Sequence, residues 1–221
     1  MKNTYIKGVA FIFEGDTEKV FYTVWLEHMC KKHGYTLTKQ LDVDSGEIYF
    51  VLENESSKIL VKMNVVGTIS QLTNSGAWFT SKCYSKNKKL EWNVILCYDT
   101  DDYKEDFSKF QEGDWEELRK TLTKKSTTKI LDMAANADIE DTMLLDTNSI
   151  FEFLEMEPRL IPSGSKGKMR MKKLFRSKGY GVAYHEGKRA ETLIKALDFD
   201  VIMQKSTLPF AELEAICFLN N

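Results

Sequence analysis

Proline is scarce in this chain, three residues in 221, and no low-complexity tract interrupts it. With 43% hydrophobic and 29% charged residues the composition is that of an ordinary globular protein, which argues against disorder. Long apolar runs are missing as well. No segment approaches the roughly 20 apolar residues of a membrane helix. Residues 1–10 lack the apolar core of a signal peptide, so no membrane partner and a cytoplasmic location are expected. Cys30, Cys83, Cys97 and Cys217 form no C-x-x-C pair, which speaks for reduced, partly buried thiols rather than a zinc ribbon. Cys30, His28 and His33 share one helical stretch with no second ligand pair elsewhere, so zinc is not expected there. Neither G-x-x-x-x-G-K-[ST] nor G-x-G-x-x-G occurs, which argues against a small-molecule phosphoryl enzyme built on a glycine-rich loop.

What is present is charge in blocks. The net charge is only −2, yet Asp132 to Glu157 holds acids and no Lys or Arg. Lys166 to Lys178, "KGKMRMKKLFRSK", holds seven basic residues and no acid. Such blocks are expected on different faces, one for metal and one for phosphate.

Residues 8–14, "GVAFIFE", read as a short buried strand, and Asp16 or Thr17 is placed to cap the helix that follows, which Gly34 closes. Residues 41–66 alternate around the turn-like "NESS", as a hairpin or two consecutive strands. "GTISQLTNSGAWFTSKCYS" is a second helix weakened by Gly76, and "EWNVILCYDTDDY" repeats the opening design of apolar run then acids. "DWEELRKTL" is helical, "STTKILDMAAN" a strand, and "DIEDTMLLD" a helix capped by Asp138. The expected fold class is α/β, a mainly parallel sheet flanked by helices. The expected organisation is a core over residues 1–146 and a mostly helical extension over 147–221 packed on it.

In a parallel sheet, sites form beyond the carboxyl ends of the strands. Glu14 and the acids of "DTDD" both lie at expected strand ends and can converge. Asp99 and Asp101, at i and i+2, can offer carboxylates to Mg²⁺ or Mn²⁺, which take hard oxygen ligands. Glu14 can complete the metal shell or act as general acid/base, and Asp102 is a spare. Either motif alone also fits a plain turn or helix cap, with Glu14 and Glu18 solvated. Together they make the case.

"FIFEGDTEKVFY" followed by "VILCYDTDDY" resembles the TOPRIM domain, the metal-binding α/β module of topoisomerases, primases and OLD-family nucleases, over roughly residues 8–145. With "ADIEDTMLLD" and "YHEGKRAETLIKALDF" the chain is similar in particular to small stand-alone TOPRIM-like proteins of prokaryotic defence systems, the RloB-like and OLD-associated groups. The resemblance implies Glu14, Asp99 and Asp101 as catalytic and metal residues, with Glu140 and Asp141 matching a further acidic position. No tyrosine is marked as a strand-cleaving nucleophile, and Tyr98 lies within the strand. The implied function is a Mg²⁺-dependent nuclease cutting DNA or RNA as an antiphage effector, or a silent or latent module controlled by an ATPase sensor subunit. A homo-oligomer is a further possible partnership.

Lys166, Lys168, Arg170, Lys172, Lys173 and Arg176 are the candidate nucleic-acid contacts, since such rows meet backbone phosphate; the ordinary alternative is a solvated helix face. His185, beside Lys188 and Arg189, reads as structural. Ala190, Leu193, Ile194 and Leu197 form an apolar stripe suited to core packing or to a partner subunit.

Overall fold

Strict alternation along β1 (Lys7–Phe13) sends Val9, Phe11 and Phe13 to one face of the sheet and Ala10 and Ile12 to the other, all fully buried. A strand buried on both faces must lie inside a sheet covered by helices on each side. The computed structural model, which describes residues 5–43, 45–101, 103–104, 107–125 and 127–219, places it so. Asp102, the spare acid, lies outside the described residues.

Six strands run in the order β2-β3-β4-β1-β5-β6: β2 (Thr36–Asp42), β3 (Glu47–Glu53), β4 (Lys58–Val65), β5 (Trp92–Asp99) and β6 (Thr127–Ala135). β1 pairs in parallel with β4 and β5, and β5 with β6, while β2–β3 and β3–β4 are antiparallel. The mixed α/β class with a mostly parallel sheet is therefore as expected. "NESS" is the turn of a true hairpin, β3 to β4. β2, "TLTKQLD", is an edge strand of mainly polar residues outside the strands expected from sequence.

Helix α1 (Asp16–His33) follows β1 at once and ends at Gly34 in the left-handed region, φ 67°. Its N-cap is Gly15 rather than Asp16 or Thr17, with no side-chain cap; acids at Asp16 and Glu18 meet the positive helix end instead. Thr17 is used elsewhere, its Oγ1 accepting from the Gly187 amide at 2.9 Å. Within residues 67–85, expected as one helix, lies a series of short turns: α2 (Ile69–Leu72), a 3₁₀ turn, α3 (Gly76–Trp78) and a π turn over Phe79–Tyr84. After α4 (Asp114–Thr123) come β6, α5 (Ile139–Met143), α6 (Thr147–Phe153) and α7 (Gly167–Lys178). The chain finishes with α8 (Glu191–Ala196), α9 (Phe199–Lys205) and α10 (Phe210–Phe218).

One layer packs Phe79, Trp92, Tyr98, Phe110, Trp115 and Leu122 on a face of the sheet. On the opposite face Phe11 and Phe13 stack with Tyr22 of α1. Phe21 and Trp25 then meet Phe199, Phe210 and Phe218 of the last helices. Each such ring, buried whole, contributes about 1.5–3 kcal/mol of transfer free energy. The last helices thus lock α1, and through it the end of β1, in place. Among the described residues no helix is long and apolar enough to cross a membrane.

Candidate functional site

Parallel pairing of β1 with β5 brings their carboxyl ends to one edge, with Phe13 opposite Cys97. Glu14, the next residue, bonds through its amide to Cys97 O at 2.9 Å, and its Oε2 accepts from the Asp99 amide at 3.2 Å. Eighty-five positions of sequence separation close to a direct contact. Beside Gly15 lies the Glu18 carboxylate: a Cβ there would be 2.8 Å from Glu18 Oε2. Glu18 is 6% exposed, where the plain-turn alternative had it solvated or helping the helix N-terminus. The reach of the first helical turn toward its own N-terminus was the available signal for it.

The end of β5 is tied to the end of β6. Thr100 N bonds Ala135 O and Asp101 N bonds Ala137 O, both at 3.0 Å, while Ala137 N returns to Thr100 Oγ1 at 2.9 Å. Asp101 and Ala137 sit at φ 66° and 64°, a left-handed conformation that costs a residue with a Cβ on the order of 1 kcal/mol.

Into this edge come Asp138 and Glu140, each 3% exposed. Asp138 caps α5, its Oδ1 accepting from Asp141 N at 3.0 Å, and also caps α7, its Oδ2 accepting from Lys168 N at 2.9 Å. Glu140 Oε1 accepts from the Tyr184 hydroxyl at 2.8 Å. Asp99 Oδ1 is buried with no hydrogen-bond partner among the described residues.

Carboxylates placed so close, with little water, resist ionisation. Burial pushes Asp99 well up, and the charges of Glu18, Glu14, Glu140 and Asp138 add to it. Burial likewise raises Glu18, with Glu140 and Glu14 beside it. It lifts Glu140 to about 7, helped by Asp138. Glu14 is raised by burial against the pull of the Asp99 amide, and Asp138 by burial against the Lys168 amide. Five acids thus share one field, with Lys166 and Lys168, at the start of α7, acting on it from its edge.

The other expected residues fall differently. Asp101 is exposed and pairs with Lys166 at the rim. Asp141 is held by Arg170 Nη1 and Gly167 N, both at 2.8 Å, and by the Tyr103 hydroxyl at 2.6 Å. Lys168 and Lys172 both pair with Glu186, at 2.5 and 2.9 Å. Lys173 donates to Ser163 O at 2.7 Å, and Arg176 is exposed. The acidic and basic blocks, expected on separate faces, meet instead: α7 sets its N-terminus on α5, and its first cations neutralise acids of the same chain. Glu18, Asp138 and Tyr184 are the members of the cluster that the motifs did not assign to a site.

The donor set is all oxygen, the kind a hard divalent cation takes, and one buried carboxylate oxygen lacks a partner among the described residues. Among the described residues no group of three or more His, Cys, Asp or Glu side chains is already arranged to hold an ion. Taking one up requires side-chain turns, chiefly at Glu14, which now faces the Asp99 amide.

The fold and site together define a mixed α/β protein with an acid cluster at the carboxyl edge of its sheet. No family model matches the chain, and no curated protein does. Solved structures that match include a Campylobacter jejuni 5'-methylthioadenosine/S-adenosyl homocysteine nucleosidase, 11% identical, covering 90% of this chain and 97% of that one, with a TM-score of 0.27. Another is a futalosine hydrolase mutant of Helicobacter pylori strain 26695, 8% identical, covering 92% and 100%, with a TM-score of 0.25. The expected function is corrected on this finding: these two are a nucleosidase and a futalosine hydrolase, neither one a nuclease. The nuclease reading, with its ATPase-controlled variant, is withdrawn. At such TM-scores the likeness assigns this chain no activity of theirs either.

Proposed function

We propose that the chain is a TOPRIM-like protein that binds a divalent cation, Mg²⁺ or Mn²⁺, at the carboxyl edge of its sheet. Asp99 and Glu14 would hold the ion, with Glu18 and Glu140 beside them. The observation that carries this reading is the buried Asp99 Oδ1, without a partner among the described residues and surrounded by four further acids. A bound cation would supply positive charge to stabilise an oxyanion on a ligand. The chain's own part is to hold protons: burial raises Glu18 to about 7, so it can take up or release one near neutral pH, and burial raises Glu14 in the same direction. Asp101 and Lys166 form the rim across which a ligand would enter. Four buried free thiols support a reducing, cytoplasmic setting. Nucleic acid, the partner the resemblance implies, would have to meet Lys173 and Arg176, the two members of the row not paired with an acid. We attach no partner subunit to this reading.

The test is thermal unfolding at pH 8 with and without Mg²⁺. A ligand present at a hundred times its Kd stabilises by about 2.7 kcal/mol, or roughly 5–10 °C for a chain of this size. That shift is expected in the wild type and is expected to vanish in Glu14→Gln. Equal shifts in both proteins would remove Glu14 from the site.

A further inference from the structure

Behind Tyr184, on the side away from the strand ends, lies a groove of about 450 Å³ between α6, the end of α7 and α8. Its volume is within the range of small-molecule sites. Three rings line it in sequence: Phe153 and Phe175 with centroids 6.4 Å apart, then Phe175 and Tyr184 edge-on at 5.5 Å. Phe153 is 37% exposed and is the most open of the three rings, Phe175 and Tyr184 being 6% and 5% exposed. Tyr184 commits its hydroxyl to Glu140, so what it offers the groove is its ring.

The rim is cationic. Lys178 donates to Glu155 O at 2.9 Å and lies 3.9 Å from the exposed carboxylate of Glu155. Arg189, also on the rim and exposed, makes no ion pair or hydrogen bond among the described residues. His185 completes the edge. Two fixed cations therefore face one acid across an aromatic floor. An arginine left without an acid beside open apolar surface matches a planar carboxylate, which it can bind through two parallel hydrogen bonds. The rings match a flat aromatic body.

We propose that this groove is a binding site for a small planar aromatic carboxylate, its ring laid against Phe153, Phe175 and Tyr184 and its carboxylate on Arg189. The site is separate from the acid cluster, and its occupation does not depend on a cation being bound there.

Calorimetric titration with 2-naphthoate and its neutral counterpart 2-naphthamide tests it. Saturable binding of the acid is expected, at least tenfold tighter than that of the amide. Arg189→Gln is expected to remove that preference, Phe153→Ala to weaken both ligands, and Lys89→Gln, an exposed change elsewhere, to alter neither. Failure of 2-naphthoate to saturate, equal affinity for acid and amide, or an undiminished preference in Arg189→Gln would each overturn the proposal. Arg189 is exposed, so loss of folding does not confound that variant.

Discussion

Replacing Asp99 with asparagine is expected to stabilise the cation-free protein at pH 8 by about 1–3 kcal/mol, the worth of one or two pKa units. The carboxyl of Asp99 is raised by burial and by the acids around it, so ionising it in the folded state is costly. An amide of the same shape carries no charge and can donate to a neighbouring carboxylate. The same physics sets the pH dependence of the wild type. Asp99, Glu18 and Glu140 are raised in the fold, so the native chain holds protons that the unfolded chain has already released. Stability must then fall as pH rises, and for Glu140 that window runs from 4.5 to about 7. Acids held below their ordinary value, Asp42, Glu47, Glu186 and Glu191, act in the opposite sense and only at lower pH. Urea unfolding in EDTA at pH 5.5 and pH 8 checks both statements. A wild type more stable at pH 8, or an Asp99→Asn variant less stable there, contradicts them.

Gly167→Ala is expected to cost about 3 kcal/mol, although helix propensity alone would favour alanine by about 1 kcal/mol. A Cβ at Gly167 would lie 2.2 Å from Asp141 N, 2.5 Å from Asp138 Oδ1 and 2.6 Å from Glu140 C. Two of these three atoms are backbone, so no rotamer relieves the clash and α7 must lift from α5. The bonds from Gly167 N to Asp141 and from Lys168 N to Asp138 would then be lost, leaving each acid short of one donor, Asp141 with Arg170 and Tyr103 and Asp138 with the Asp141 amide. Opposite signs from propensity and packing make the measurement decisive. An alanine variant as stable as the wild type in urea would show that α7 does not clasp α5 as described.

Much of the fold was legible because local signals and tertiary outcome agree. "VAFIF" is apolar on both faces, as a central parallel strand must be, and Gly34 stops α1 where a left-handed residue is needed. β2 was not legible, since its pairing with β3 owes nothing to an apolar pattern of its own. The meeting of Glu14 with the β5 end followed from strand order, while its bond to the Asp99 amide did not. Asp101 points to the rim because its left-handed backbone, fixed by Ala137 O, turns it from Asp99; a D-x-D spacing carries no record of that. Glu18 and Asp138 looked like ordinary helix-start residues. Their burial comes from tertiary packing, for Asp138 from α7, which no short motif contains.

The central claim is that the strand-end acids take up a divalent cation, and a crystal soaked in Mn²⁺ tests it most directly. An anomalous peak bonded to Asp99, with Glu14 turned away from the Asp99 amide to join it, is the expected result. A fully soaked crystal with Mn²⁺ only at surface carboxylates, and Glu14 still on that amide, would contradict it.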